Sequence, residues 1–380
     1  MKILIVSSFF GGTITAALNF IKDLSIELSQ KGHLVSVALD SRYKSHYAIE
    51  GVEILWFDSI HFTNYSFSFS FLKIIKNLNP DIIHFHGYPS FQTDVGSYIA
   101  SRRNIPYVLT PHGTLLGHFH LSSFFERIPF LIHEILNNKR SIKHSKFVIV
   151  TSTSEYNDAI RFGVEKYKIK QIPLCTNIPQ NEIKTNNTKK ILNLLFVGRI
   201  VPNKNLELIL FALKKLVNRF PHLKLNIVGD EISGRAIGDS GYKNKIFNLI
   251  TKLELSKNVK FFGWVSGKPL WELYANSEIF LCCSKYENFC LPLLEAAHFG
   301  LPIISTDVGI AFDLINKNKG GYILKKKSPE ELALCISNLL EDNEKYQICK
   351  NFLYNQAKNY DISTITKNHE KLFSLILSLK

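Results

Sequence analysis

"SKYENFCLPLLEAAHFGLPIIST" spans Ser284–Thr306 and follows the apolar run "EIFLCC". That run reads as a buried strand, and "LPIIST" at the far end reads as the next one. Between them Pro292 suits the first position of a helix and Gly300 the position just past its end, which predicts a short helix over 292–299. Strand, helix and strand in this order describe a crossover in a parallel sheet. Two glutamates interrupt the apolar sequence, Glu287 and Glu295, with seven residues between them. At ~100° per residue they stand roughly 80° apart even on a continuous helix, so they do not share a face. Glu295 falls in the first turn of the predicted helix, where a carboxylate complements the dipole. Glu287 falls on the loop, where no such reason holds it. Carboxylates accept hydrogen bonds from hydroxyls, so the pair fits two parts of one extended, polyhydroxylated ligand.

The same alternation extends in both directions. "KILIVSS", "LVSVAL", "VEILWF", "DIIHFH", "YVLTPH" and "KFVIVTS" read as strands of a first half, and "ILNLLFVG", "LKLNIVG", "VKFFGW", "EIFLCC", "LPIIST" and "GGYIL" as strands of a second. Amphipathic stretches separate them, so the fold class is α/β with two doubly wound parallel sheets. The polar segment "KTNNTKK" (184–190) lacks apolar periodicity and reads as the linker, giving a first domain over 1–184 and a second beginning at 185. Ligands of such sheets bind beyond the carboxyl ends of the strands.

The chain has 380 residues, 46% of them hydrophobic, enough for two full cores. No apolar run approaches the ~20 residues of a membrane span, and "MKILIVSSFF" reads as a first strand and not as a signal peptide. The six cysteines show no metal or disulfide spacing and suit reduced thiols in a cytoplasm. The formal charge of +14 is spread over both halves. It suits nucleotides, phosphoglycans or an anionic membrane face as partners, or simply an alkaline protein. No zinc-finger, RRM or aromatic-basic pattern points to nucleic acid.

Other strand ends carry chemistry. "LLFVGRIVPNKNLELILFALKKLVNRF" closes a strand at Gly198 and opens a helix with a clean apolar period from Leu206 to Phe220. Asn203 reads as its N-cap, which places Lys204 in the first turn with Arg199 just before it. A cation there opposes the helix dipole unless an anion lies at the helix end, so Arg199 and Lys204 read as a phosphate site. In the first half, Gly11 and Gly12 end the first strand and permit close approach to a phosphate. His86 and His112 each precede a glycine at a strand end, where an imidazole can bond a substrate or move a proton. No Cys/His cluster suggests a metal, and no cofactor is expected.

In order and spacing these pieces resemble the retaining glycosyltransferases of family four, with the two-Rossmann-domain GT-B fold. The resemblance covers nearly the whole chain: "GGTITAALNFIKDLSIELSQKGHLVSVA", "PDIIHFHG", "IPYVLTPHGTLLG", "VGRIVPNKN" and "EIFLCCSKYENFCLPLLEAAHFGLPIIST". It implies a hexosyltransferase using a nucleotide diphosphate sugar, without a metal, on a glycan or lipid-linked glycan acceptor in surface polysaccharide synthesis. It implies that Arg199 and Lys204 bind the diphosphate and that Glu295 holds the ribose. Glu287 would stand by the sugar, together with the amides of Phe289, Cys290 and Leu291. Gly12 would meet the phosphates and His112 the sugar or acceptor. It further implies a donor domain over 185–358 and a final helix, 359–380, returning to the first domain. The sequence departs from the pattern at Cys290, where glycine is usual, at Asp313, where glutamate is usual, at Ile310, and in "IPLCTNIP". A GT-B nucleotide-sugar epimerase or hydrolase, and a non-catalytic sugar-nucleotide binder, remain open. So does the segment Gly117–Lys146, whose apolar residues and following Lys139, Arg140, Lys143 and Lys146 suit either a core-packed helix or an anionic membrane face.

Overall fold

The computed structural model describes residues 1–7, 16–44, 49–62, 65–121, 124–137, 139–176, 178, 192–231 and 241–379. The chain divides into two compact units, Met1–Thr176 with Tyr360–Lys380, and Asn177–Asn359. The division falls earlier than the 184/185 boundary read from composition, and the linker segment 184–190 lies outside the described residues.

The first unit holds β1 (Lys2–Ser7), β2 (Leu34–Asp40), β3 (Glu53–Phe57), a short antiparallel pair β4 (Ile60–Phe62) and β5 (Tyr65–Phe67), β6 (Ile82–His86), β7 (Tyr107–Thr110), β8 (Phe147–Val150) and β9 (Ile169–Gln171). Its seven-stranded sheet runs in the order β3-β2-β1-β6-β7-β8-β9, with every pairing parallel. Helices cover both faces of a parallel sheet, so its central strands read as unbroken apolar runs and not as alternation. β1 is buried from Ile3 to Ser7, and β6 and β7 throughout. The last helix, Ile362–Ser378, belongs to this unit. It buries Ile365, Leu372, Phe373 and Ile376 on one helical face. His33 bonds its Glu370 at 2.8 Å, and Phe20 of the helix Ala16–Gln30 lies 6.0 Å from its His369 ring.

The second unit holds β10 (Leu192–Val197), β11 (Leu223–Val228), β12 (Val259–Phe261), β13 (Ile279–Cys282), β14 (Ile303–Ser305) and β15 (Gly321–Ile323), in the parallel order β12-β11-β10-β13-β14-β15. The strand order reverses beside β10, which places the β10 and β13 ends at a topological switch point. The helix Leu206–Leu216 buries Leu206, Ile209, Leu210, Leu213 and Leu216 against this sheet. Each such side chain contributes about 1.5–3 kcal/mol by leaving water.

Candidate active site

The loop after β10 determines where the first cation stands. Pro202–Lys204 forms one 3-10 turn, Asn205 follows at φ +54°, and the helix begins only at Leu206. Lys204 therefore precedes the helix and does not lie in its first turn, and the N-cap is Asn205 and not Asn203. Asn203 does something else. Its side-chain amide donates to the Tyr286 carbonyl at 2.8 Å and accepts from the Tyr286 N–H at 3.2 Å, while its own carbonyl accepts from Lys285 N–H at 2.8 Å. This bidentate clasp ties the loop after β13 to the loop after β10.

The clasp sets Glu287 on Lys204. The Lys204 Nζ lies 2.6 Å from Glu287 Oε1, with both side chains largely buried. Burial alone would lower the lysine's pKa, but the Glu287 carboxylate outweighs it and holds the pKa above the usual lysine value. Two glycines clear the space. A Cβ on Gly198 would meet the Lys204 Cε at 3.2 Å, and one on Gly229 would overlap the Gly198 carbonyl at 1.9 Å. Only glycines let the ends of β10 and β11 approach so closely. Arg199, by contrast, is exposed.

The second corner differs from its sequence reading by a turn. The helix runs Leu291–His298, with Pro292 in its first turn and Glu295 in its second. Gly300 follows at φ +61°, as expected of the residue past a helix end. The Glu295 Oε2 accepts a 2.6 Å hydrogen bond from the Tyr274 hydroxyl. Burial raises the Glu295 pKa, and the Tyr274 bond opposes the rise. Tyr274 is fixed by stacking on Phe299, ring centroids 5.6 Å apart and planes within 6°. Its role had no signal in the sequence, because the contact joins residues on separate elements.

Phe289, Cys290 and Leu291 make the turn into this helix. Cys290 caps it at φ +67°, the left-handed region that favours glycine. Ile310 N–H bonds the Phe289 carbonyl at 2.9 Å, and a Cβ on Gly309 would meet that carbonyl at 2.4 Å. Three contacts thus gather at this corner: Lys204 with Glu287, Cys282 with Cys290, whose sulfurs are 3.8 Å apart, and Glu295 with Tyr274 on the adjoining helices. The arrangement offers a buried ammonium, two carboxylates and a helix N-terminus at a switch point of a parallel sheet.

In the first unit, His112 follows β7 at φ +57° and is buried. Its Nε2 lies 2.9 Å from the Nδ1 of His86, the last residue of β6, and the rings stack at 5.2 Å. The His84 ring lies 3.9 Å from that of His86, tilted by 37°, and His84 bonds Thr110 Oγ1 at 2.8 Å. Burial pushes the His112 imidazole down to about 3 and that of His369 to about 4. The histidines are neutral hydrogen-bonding groups at physiological pH. Gly12 lies outside the described residues. Among the described residues, no group of three or more His, Cys, Asp or Glu side chains is placed to hold a metal ion.

Comparison with known proteins agrees with this architecture. The family "Glycosyltransferase Family 4" matches residues 18–178, and "Glycosyl transferases group 1" matches residues 177–356. The chain is 25% identical over 78% of its length to an uncharacterised 41.2 kDa protein in the cps region of Klebsiella pneumoniae, covering 81% of that protein. It is 23% identical over 98% of its length to the gpi3 component of the phosphatidylinositol N-acetylglucosaminyltransferase of Schizosaccharomyces pombe, covering 80% of that protein. Among solved structures it is similar to Anabaena HepE in complex with UDP, with a TM-score of 0.78, 20% identity, and 98% of this chain matched to 100% of that one. It is also similar to the lipopolysaccharide outer core galactosyltransferase WaaB, with a TM-score of 0.72, 16% identity, and 98% of this chain matched to 99% of that one. Two family matches that meet at the unit boundary, over two parallel sheets of the GT-B kind, make this chain an enzyme of the family-four glycosyltransferases.

Proposed function

We propose that the protein transfers a hexosyl group from a nucleotide diphosphate sugar to a glycan or lipid-linked glycan acceptor, with retention at the anomeric carbon, in surface polysaccharide synthesis. The observation that carries this is the buried Lys204–Glu287 pair at the switch point, 2.6 Å long and cleared by Gly198 and Gly229. An ammonium has three N–H donors and Glu287 engages one. The others suit the diphosphate, whose negative charge grows as the glycosidic bond breaks. Arg199 adds a guanidinium fork from the exposed loop. Glu295 receives the ribose hydroxyls. Glu287 and the amides of Phe289, Cys290 and Leu291 receive the sugar. His112, neutral, orients sugar or acceptor by hydrogen bonding. The leaving phosphate oxygen takes the acceptor proton on the same face. Similar proteins bound to UDP and UDP-glucose, such as Anabaena HepE, support the donor class. The test is a panel of labelled UDP-, GDP- and ADP-sugars with the purified chain. Slow release of one sugar with its anomeric configuration kept is the expected result. Isomerisation without release makes the protein an epimerase, and binding alone makes it a non-catalytic binder.

The acceptor side carries a second observation. The helix Phe124–Asn137 is reversed in polarity. His133, Glu134 and Asn137 face inward, where His133 bonds Asp94 at 2.7 Å, Tyr88 donates to Glu134 at 2.5 Å, and Asn137 donates to Asp94 at 2.6 Å. Ile128, Leu131, Ile132, Ile135 and Leu136 face outward, the last two 78% and 80% exposed. Exposed Arg140, Lys143 and Lys146 follow. Lys139 does not join them, because its ammonium bonds the Phe162 carbonyl and lies 4.1 Å over the Phe162 ring. An apolar stripe bordered by cations fits an anionic membrane surface at the cytoplasmic face, each near-surface cation contributing roughly 1 kcal/mol. Proteins similar to this one are named as transferases of phosphatidylinositol and of the lipopolysaccharide outer core, in keeping with a lipid-linked acceptor. Co-sedimentation with anionic and neutral vesicles tests it. Binding should fall in Ile135→Ser/Leu136→Ser and in a variant with Arg140, Lys143 and Lys146 changed to Gln. Equal binding by all three proteins, or none, removes the membrane.

A further inference from the structure

Two thiols lie beside the Lys204–Glu287 pair, and the transfer chemistry uses neither. Cys282 ends β13 and Cys290 stands at the turn into the next helix, their sulfurs 3.8 Å apart. A disulfide needs about 2.05 Å, so a closure of roughly 2 Å, shared between two side chains, brings them into bonding distance. Cys290 holds the left-handed conformation at φ +67°. A residue with a Cβ costs about 1–2 kcal/mol there, and glycine would not. The chain thus carries a strained cysteine in contact with a second cysteine, at the point where the cap meets the donor corner.

We propose that Cys282 and Cys290 are an oxidative modification site that closes to a disulfide on reaction with a hydroperoxide. Cys282 is the attacking sulfur. The Cys290 sulfur 3.8 Å away and the nearby Lys204 ammonium together outweigh burial and the Glu287 carboxylate, holding Cys282 below the usual thiol range. The paired sulfur and burial push Cys290 up. The Cys282 thiolate attacks a peroxide oxygen. The O–O bond breaks, and hydroxide leaves and takes up the thiol's proton as water. The Cys290 sulfur then attacks the resulting sulfenic acid, the S–O bond breaks, the S–S bond forms, and a second water carries off the Cys290 proton. The two thiols lose two electrons and two protons, and hydrogen peroxide is reduced to two waters.

The closed loop runs from residue 282 to 290 and contains Glu287, and Cys290 heads the helix bearing Glu295. Closing it pulls the sugar-facing turn toward β13 and away from the Asn203 clasp. This consequence rests on the donor reading given above; the cross-link itself does not. The full-length reduced protein is treated with equimolar hydrogen peroxide, blocked with iodoacetamide, digested without reduction and mapped by tandem mass spectrometry. A 282–290 cross-linked peptide, two hydrogens lighter and reversed by dithiothreitol, is expected, and it should be missing from Cys282→Ser. The wild-type map stands alone if that variant fails to fold. Oxidation at other thiols without a 282–290 link overturns the proposal. Titration with UDP reads the consequence: at least tenfold weaker binding is expected after oxidation. Equal UDP binding by cross-linked and reduced protein overturns the coupling. A cross-linking protein whose reduced form binds no UDP overturns the donor reading and leaves the modification site standing.

Discussion

Among the described residues, one strand-end corner of each unit buries ionisable groups, and the pair resolves the cost in opposite ways. In the second unit Lys204 keeps its charge, because Glu287 meets it at 2.6 Å. In the first unit His84, His86, His112 and His369 lose theirs, because burial prevails at each. An ion in a low-dielectric corner persists only with an opposite partner; otherwise it sheds its proton. The corner of the second unit therefore holds a paired charge. The first is built for neutral hydrogen bonding.

The largest effect should come from breaking the charged corner. Lys204→Ala leaves Glu287 without its partner and removes the buried ammonium, and Arg199→Ala removes the exposed guanidinium. Each should lower kcat by about 10²-fold or more, the scale of losing one transition-state donor. Lys204→Ala should also cost about 3–5 kcal/mol of stability, since it strands a largely buried carboxylate. Denaturant melts and turnover on the preferred donor measure both. Near-wild-type turnover in the two variants would dissolve the contrast between the corners.

The neutral corner gives a smaller, pH-dependent effect. Histidines whose folded pKa lies below the unfolded value of about 6.5 bind fewer protons folded than unfolded. Their stabilisation is present above that unfolded value and is lost as pH falls toward the folded values, about 4 for His369 and about 3 for His112. His369 alone accounts for about 2–3 kcal/mol of acid sensitivity between roughly pH 6.5 and 4. His112→Asn, which tolerates a positive φ, should lessen the dependence without moving any limb of the kcat profile near pH 6.5. A limb that vanishes in this variant would show His112 titrating during turnover.

His133 tests the same rule with its sign reversed. Burial alone would lower its pKa, but the Asp94 and Glu134 carboxylates prevail and raise it to about 9. Its stabilisation is complete below the unfolded value of about 6.5 and is lost as pH rises through about 9. Solvent screening discounts it to about 1–2 kcal/mol. Melting temperature followed from pH 6 to 10 should fall in the wild type and stay flatter in His133→Gln. Parallel curves would mean that the inward face of the Phe124–Asn137 helix is not charged.

The parts legible in the sequence were those governed by local pattern. Unbroken apolar runs announce buried parallel strands, Lys204 stands out as a cation beside a helix start, and Glu287 as a loop carboxylate that no helix dipole explains. What stayed hidden depends on contacts between distant segments. Asn203 and Asn205 flank Lys204, and nothing local says which caps the helix and which clasps Tyr286 across the sheet. Tyr274 finds Glu295 only once two helices are packed. The Gly117–Lys146 segment shows apolar residues without showing which face is covered, because the inward His133 and Glu134 are satisfied by Asp94 and Tyr88 from other elements.

The smallest expected effect sharpens the electrostatic side of the comparison. If Lys204 and Arg199, with the amides at the Leu291–His298 helix start, neutralise the leaving diphosphate, a divalent cation has little left to add. Lys204 is held by Glu287 before the substrate arrives, so its field costs little reorganisation at the moment of bond breaking. The sequence shows no paired aspartates at a strand end, the usual way of bridging a metal to a diphosphate. Turnover in excess EDTA should therefore stay within about twofold of the untreated rate, well below the 10²-fold scale of losing Lys204. Magnesium or manganese added back should not raise it. Complete loss in EDTA with rescue by either ion would move the phosphate charge from the lysine corner to a metal. Lys204 would then be a partner that orients Glu287, and Lys204→Ala should be partly rescued by raising the metal concentration.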